Sequence, residues 1–329
     1  MTVLLAGCGD LGTEAGLRFA AAGHRVVGWR RSPEKLPAAI EGAAANLGSG
    51  TLPPIPAGTT AVVVAIAADA PTEEAYRAAY VDGLANVLDA VEGAGQRNGA
   101  APLRVLFVSS TAVYGDAGGD WIDEGTTPAP GGFSGRIIRE AEELLYSRLR
   151  GTGITPVVLR LGGIYGPGRT RLIDQVRGGT AVAPAEPRFT NRVHRDDAAA
   201  AIVHLCTMDA APGPLYLGVD NEPAELGEVL AFLAAELGLP QPPSDAALVS
   251  GSEAGGSGAS GSGASGSGVS GSGAGSGAGP AARAGGGPSR GGNKRCSNAL
   301  LRGTGFAPQY PSFREGYRAV LAGVGARHP

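Results

Sequence analysis

Three glycines, Gly7, Gly9 and Gly12, follow a short apolar run and open a stretch of helical spacing in "LLAGCGDLGTEAG". That spacing suits a diphosphate. Gly7 permits a tight turn, Gly9 lets backbone approach the ligand, and Gly12 allows close helix packing; the loop from Gly7 through Cys8, Gly9, Asp10 and Leu11 to Gly12 then offers amide donors at the positive end of a helix dipole. Cys8 reads as a small side chain that fits this loop. A second feature ends the next apolar run, where Trp29 is followed by Arg30, Arg31 and Ser32. A carboxylate at this place would accept the adenosine ribose hydroxyls, whereas two guanidiniums and a hydroxyl suit a 2′-phosphate. The chemistry implied is dinucleotide binding, with NADP preferred over NAD and one of the two arginines expected to be merely solvated.

The elements that must position these residues are legible as alternation. Apolar runs at 2–6, 25–29, 61–67, 104–110 and 155–161 alternate with stretches of helical period at 13–22, 73–92 and 135–149. Continuous apolar runs separated by helices describe an α/β chain with a doubly wound parallel sheet covered on both faces. In the 135–149 stretch, Ile137, Ile138, Ala141, Leu144, Leu145 and Leu149 form one apolar stripe. Arg136 and Arg139 each stand four residues before a glutamate, Glu140 and Glu143, which predicts two ion pairs along the polar side.

Composition narrows the partners. The 329 residues are 43% hydrophobic and 17% charged with a formal charge of -3, so nothing draws the chain toward nucleic acid or an anionic membrane, and a small-molecule substrate is the expected partner. The three cysteines lack zinc or disulfide spacing, the first residues lack a basic leader, and no run approaches the roughly eighteen apolar residues of a membrane span; a cytoplasmic protein is expected. Residues 251–292 turn abruptly to Gly and Ser, with too little apolar surface to offset the entropy of ordering. They read as a disordered insertion, after which ordered sequence resumes at Asn293.

Taken in order, "LLAGCGDLG", "HRVVGWRRSPEKL", "YVDGLANVLDA", "VSSTAVYGD", "LRLGGIYGPGR" and "NRVHRDDAAAAI" resemble the landmarks of the extended and atypical short-chain dehydrogenase/reductases, in the NAD(P)-dependent epimerase/dehydratase group. The resemblance covers residues 1 to about 240 and resumes near Asn293. It implies a Rossmann-type domain, residues 1–165 plus about 190–222, and a smaller C-terminal substrate lobe, 166–189 and 223–250 plus 293–329. It also implies that the 73–92 and 135–149 helices could build a homodimer. Catalytic relatives use a serine or threonine, a tyrosine, a lysine that lowers the tyrosine pKa, and an asparagine. The resemblance places the serine at Ser110, but "SGRIIREAE", aligned through Gly135 and Glu142, puts Ser134 in the tyrosine place and Ile138 in the lysine place; Tyr80 stands where the asparagine would be.

A serine hydroxyl is a far weaker acid than a phenol, and Ile138 brings no charge to help it, so the usual proton donor is missing. Tyr80 and Tyr114 are the candidates to replace it, beside Ser110. Thr111, Arg136, Tyr165, Arg169 and His194 are the candidate substrate contacts, with Gly163 and Gly166 shaping the same pocket; pairing of Arg136 with Glu140, and a structural hydrogen-bonded histidine ahead of a helix that Asp196 or Asp197 could cap, are the simpler expectations for Arg136 and His194. Two functions stay open: an NADP-dependent oxidoreductase or epimerase/dehydratase-like enzyme acting on a small polar, sugar-like molecule, and a non-catalytic NADP-binding redox sensor.

Overall fold

The computed structural model describes residues 1–94, 103–246 and 292–329. Seven strands, β1 (Thr2–Ala6), β2 (Arg25–Arg30), β3 (Glu41–Ala44), β4 (Thr59–Val64), β5 (Arg104–Ser110), β6 (Thr155–Leu161) and β7 (Leu215–Gly218), form one sheet in the order β7-β6-β5-β4-β1-β2-β3. Every pairing in it is parallel. This is a Rossmann-like sheet, and its order reverses next to β1, where the crevice for a ligand opens at the strands' C-terminal ends.

Both faces are buried, and the period of two along β1 shows how. Val3 and Leu5 enter one core with Ala15 and Phe19 of α1 (Asp10–Ala21), while Leu4 and Ala6 enter the other, with residues from later helices. On the second face lie α2 (Glu73–Tyr76), a π-helical turn (Arg77–Asp82), α3 (Gly83–Gly93) and α4 (Phe133–Leu149). The expected apolar stripe of α4 is therefore the side that meets the sheet. A third core binds α5 (Arg171–Arg177) to α7 (Leu226–Glu236) and α9 (Phe313–Leu321) through Ile173, Val176, Leu233, Phe313 and Tyr317. Helix α6 (Arg195–Thr207) instead packs on α1 under the sheet. The segment expected to belong wholly to the lobe, 293–329, divides: Leu301 of α8 (Ala299–Gly303) joins the sheet core, whereas Phe313 and Tyr317 join the lobe. Nearly all of the Gly/Ser-rich stretch lies outside the described residues. Among those described, no helix is long and apolar enough to cross a membrane.

One buried ion pair pins α4 to the sheet beneath the site. Arg160 of β6 donates through Nε and Nη2 to the two oxygens of Glu142, at 2.8 and 2.6 Å, and Ser109 Oγ donates to the same carboxylate at 2.6 Å. Glu142 is completely buried and Arg160 nearly so. The same guanidinium lies 4.7 Å from the ring centroid of Tyr114. Removing one partner of such a pair leaves a desolvated charge, at a cost of about 3–5 kcal/mol, whereas replacing both with apolar groups costs much less. Glu142→Gln should therefore lower the unfolding free energy in urea by about that amount, and Glu142→Leu combined with Arg160→Met should recover most of it; a single-variant loss within error of zero would show that the pair is not desolvated.

Candidate functional site

At the turn from β1 into α1 the glycines divide the labour by steric need. Gly7 has φ +91°, and a Cβ there would stand 2.5 Å from the Ala65 carbonyl oxygen; a Cβ on Gly12 would stand 2.5 Å from the Gly7 carbonyl oxygen. Gly9 meets nothing within 4 Å. It is also the N-cap of α1 and has no side chain to cap it, so no side-chain cap bond takes the first-turn amides. Gly7 and Gly12 thus close the turn, and Gly9 leaves it accessible. A cavity of about 720 Å³ opens from this loop. Its walls include Gly9, Arg30, Ser32, Lys35, Asn46 and Asp69. An open amide cradle beside cations has the donor set that the diphosphate and phosphate groups of a nicotinamide dinucleotide require.

The two arginines part company. Arg31 makes a bidentate pair with Asp69, at 2.7 and 2.8 Å, and both side chains are about two-thirds exposed. Arg30 gives one N–H to the main-chain oxygen of Pro329 at 3.1 Å. Lys35 was not singled out from the sequence, although the run "RRSPEK" contains it; the 3-10 turn Pro33–Lys35 brings its chain position to the cavity wall. Cys8 is fully buried, near the Thr13 hydroxyl, and desolvation raises its thiol pKa.

Beside the loop, Asp10 accepts from Arg169 Nε at 2.8 Å and from Arg195 Nη1 at 3.0 Å. Burial alone would raise its pKa, but these cations and the His328 amide hold it below the ordinary value. Arg169 is therefore fixed at the start of α1, next to the diphosphate cradle, by a carboxylate that sequence spacing of 159 residues could not have paired with it.

The catalytic candidates lie at the end of β5. Ser110 is partly exposed, and its Oγ accepts from the Ala112 amide at 3.2 Å; Thr111 is buried in the 3-10 turn that follows. Tyr114 is buried and donates its hydroxyl to the Asp123 carbonyl at 2.9 Å. Burial, opposed by Arg160, pushes its pKa up to about 12. Tyr80 sits in the π-helical turn, packed on Tyr76 and Phe107, and burial pushes it too up to about 12. Both phenols stay protonated at neutral pH, so neither is poised as a base. Ile138 is buried with Val113 and Tyr114, while Ser134 occupies the first turn of α4. Gly135 and Glu142, which align with relatives, have structural duties: a Cβ on Gly135 would stand 2.5 Å from the Ala112 carbonyl oxygen, and Glu142 holds Arg160.

Of the expected substrate contacts, Tyr165 and His194 are buried, while Arg136 is exposed. Glu140 is held by Arg77, at 2.8 and 3.0 Å, rather than by Arg136, which is exposed at the start of α4; the Arg139–Glu143 pair forms as expected. Tyr165 is buried in the lobe core, its ring 4.4 Å from that of Tyr317, because the chain turns there into α5. His194 is 1% exposed and its Nδ1 accepts the Asp196 amide at 3.2 Å, so the histidine itself caps α6; Asp197 instead accepts the Gln309 and Tyr310 amides. Desolvation lowers the His194 pKa to about 4.

Comparison with known proteins agrees with this architecture. The profile of the NAD dependent epimerase/dehydratase family matches residues 3–216. A protein of Methylobacillus flagellatus, assigned as an NAD-dependent epimerase/dehydratase, is 33% identical, with 98% of each chain covered and a TM-score of 0.69. Protein YeeZ of Escherichia coli K12 is 40% identical over 102 residues, a match spanning 31% of this chain and only about a third (35%) of that protein. The human epimerase family protein SDR39U1, solved with NADPH, is 17% identical over 98% of this chain, with a TM-score of 0.68, a likeness of fold.

Two outcomes follow from this geometry. Gly9→Ala should fold with an unchanged melting temperature but lose at least about tenfold in dinucleotide affinity by calorimetry, roughly the loss of one good hydrogen bond, whereas Gly12→Ala should fail in thermal stability first. For His194, the unfolded imidazole takes up a proton near pH 6.5 and the folded one only near 4, so between these values the unfolded chain binds more protons and stability falls as pH falls. The wild type should lose on the order of 3 kcal/mol more than His194→Asn between pH 6.5 and 4 in denaturant titrations; parallel curves for the two would mean that burial does not lower the histidine's pKa.

Proposed function

The chain belongs to the NAD dependent epimerase/dehydratase family, and from that premise we propose that it is an NADP-binding oxidoreductase-type protein acting on a small polar substrate. The observation that carries this reading is the open Gly9 cradle, continuous with a cavity whose walls bear Arg30, Ser32 and Lys35. A general NAD(P)-linked role follows from family membership; the preference for NADP rests on those three side chains, since two cations and a hydroxyl match a phosphate dianion better than a ribose diol. That NADPH accompanies the human neighbour's fold is in keeping with it.

When bound, the nicotinamide would supply or accept hydride, chemistry that needs mainly orientation from the protein. The side chains here then have limited tasks. Ser110, partly exposed at the end of β5, can donate a hydrogen bond to a substrate oxygen. Tyr80 can serve only as a protonated donor, and Tyr114, with its hydroxyl committed to Asp123, shapes the wall. Without the tyrosine–lysine pair of relatives, proton delivery falls to Ser110, to Tyr80 or to solvent, which favours substrates whose reduction needs little acid assistance.

A second reading, a non-catalytic NADP-responsive sensor, is favoured by the same two phenols, since burial keeps both protonated even with Arg160 beside Tyr114. The measurement that separates the two is NADPH oxidation against a panel of carbonyl compounds. Under the enzymatic reading a substrate is found and Ser110→Ala lowers kcat about 10²-fold or more, with Tyr80→Phe contributing less; tight NADPH binding with no turnover across the panel favours the sensor. For the cofactor, Arg30→Ala with Lys35→Ala should weaken NADPH by about 10–100-fold, the worth of charge-assisted bonds, and leave NADH nearly unchanged. Equal losses for both would reject the phosphate assignment.

A further inference from the structure

Beyond α9 the chain does not remain with the lobe. It crosses in five residues to the start of α1 and the end of β2, where Arg30 lines the cavity. Gly325 lies against Pro167, where a Cβ would stand 2.8 Å from the proline ring. Ala326 gives its carbonyl to Arg195 Nη2 at 3.0 Å. Arg327 lays its aliphatic stem over Gly168. His328 donates its amide to Asp10 Oδ1 at 3.2 Å, and its Nε2 lies 2.8 Å from Glu14 Oε2, one turn further along α1. Pro329 then gives its main-chain oxygen to Arg30. The path therefore runs from the "GPGR" loop, across the start of α1, to the end of β2.

We infer that residues 325–329 form a strap that discriminates between dinucleotides, because through Pro329 it engages the guanidinium that a 2′-phosphate would use. This rests on the reading of Arg30 as that phosphate's partner. One oxygen of Pro329 accepts one N–H from Arg30, whereas a phosphate dianion offers several charge-assisted acceptors in bidentate geometry. A phosphorylated dinucleotide accordingly displaces Pro329 and loosens the strap, while an unphosphorylated one leaves Arg30 and the strap as they are. Asp10 keeps Arg169 and Arg195 when the strap leaves, so the cradle stays formed. The strap thus lowers the preference for the phosphorylated cofactor without touching the diphosphate loop.

The test is calorimetric titration of the full chain and of a form lacking 325–329 with NADPH and with NADH, together with hydrogen exchange at the His328 amide. Removal of the segment should tighten NADPH by about three- to tenfold, the worth of one modest hydrogen bond, and change NADH by less than about twofold. Full-length protein should lose protection at His328 with NADPH but not with NADH. His328→Ala, which loosens the same segment without shortening the chain, should shift NADPH in the same direction, and Arg30→Ala should abolish the difference between full-length and shortened forms. Unchanged or weaker NADPH binding after removal overturns the strap while leaving the cofactor reading intact; no binding of either nucleotide to any form overturns both.

Discussion

The narrow turn after β1 is the constraint on which the rest of the molecule depends. Gly7 and Gly12 each lie where a single added carbon would collide with a main-chain oxygen at 2.5 Å, so strand and helix approach as closely as backbone permits. That approach fixes the axis of α1 against the central strand and aims the helix's first turn at the crevice where strand order reverses. β1 pairs on both sides and divides its side chains between two cores, so the turn is held by the most buried strand of the sheet. The cavity, the cations at the end of β2 and the acid Asp10 take their places from it.

Around this cradle charge is arranged in two ways with different consequences. Asp10, Arg169 and Arg195 form a network at the start of α1 that draws together the β1 turn, the loop after β6 and the start of α6. Glu142 and Arg160 do the same deeper down, for α4 and the sheet, in a setting with almost no solvent. The first is wet on one side, at Arg169, and the second is dry throughout. Proton chemistry follows the same division, since the phenols near β5 lie toward the dry side and keep their protons.

Much of this was legible beforehand, and the failures have physical causes. The five apolar runs became five central strands, because strands buried on both faces must be apolar throughout. β3 and β7 were invisible: "EGAA" has no branched or aromatic residue and is mostly exposed, and "LYLG" is a four-residue edge. The run at 61–67 was read too far, since the chain leaves the sheet after Val64 and Ala65–Ala67 line the cavity instead. The glycine loop was readable because its demands are local. The partners of Arg31, Glu140 and Arg169 and the cap made by His194 were not, because each pair is distant in sequence and, for His194, the residue type is seldom used as a cap. The π-helical turn carrying Tyr80 left no mark in the spacing of its residues.

The burial of Ile138 limits what position 138 can hold. Helix α4 is secured by Glu142, by the close approach at Gly135 and by its apolar stripe, none of which needs a tyrosine at 134 or a lysine at 138. Ile138 instead adds an apolar side chain to the cluster of Val113, Tyr114, Leu217 and Val219. A lysine at 138 would bring an ammonium into that apolar cluster at the cost of its desolvation, so a charge there would call for changes among its neighbours as well.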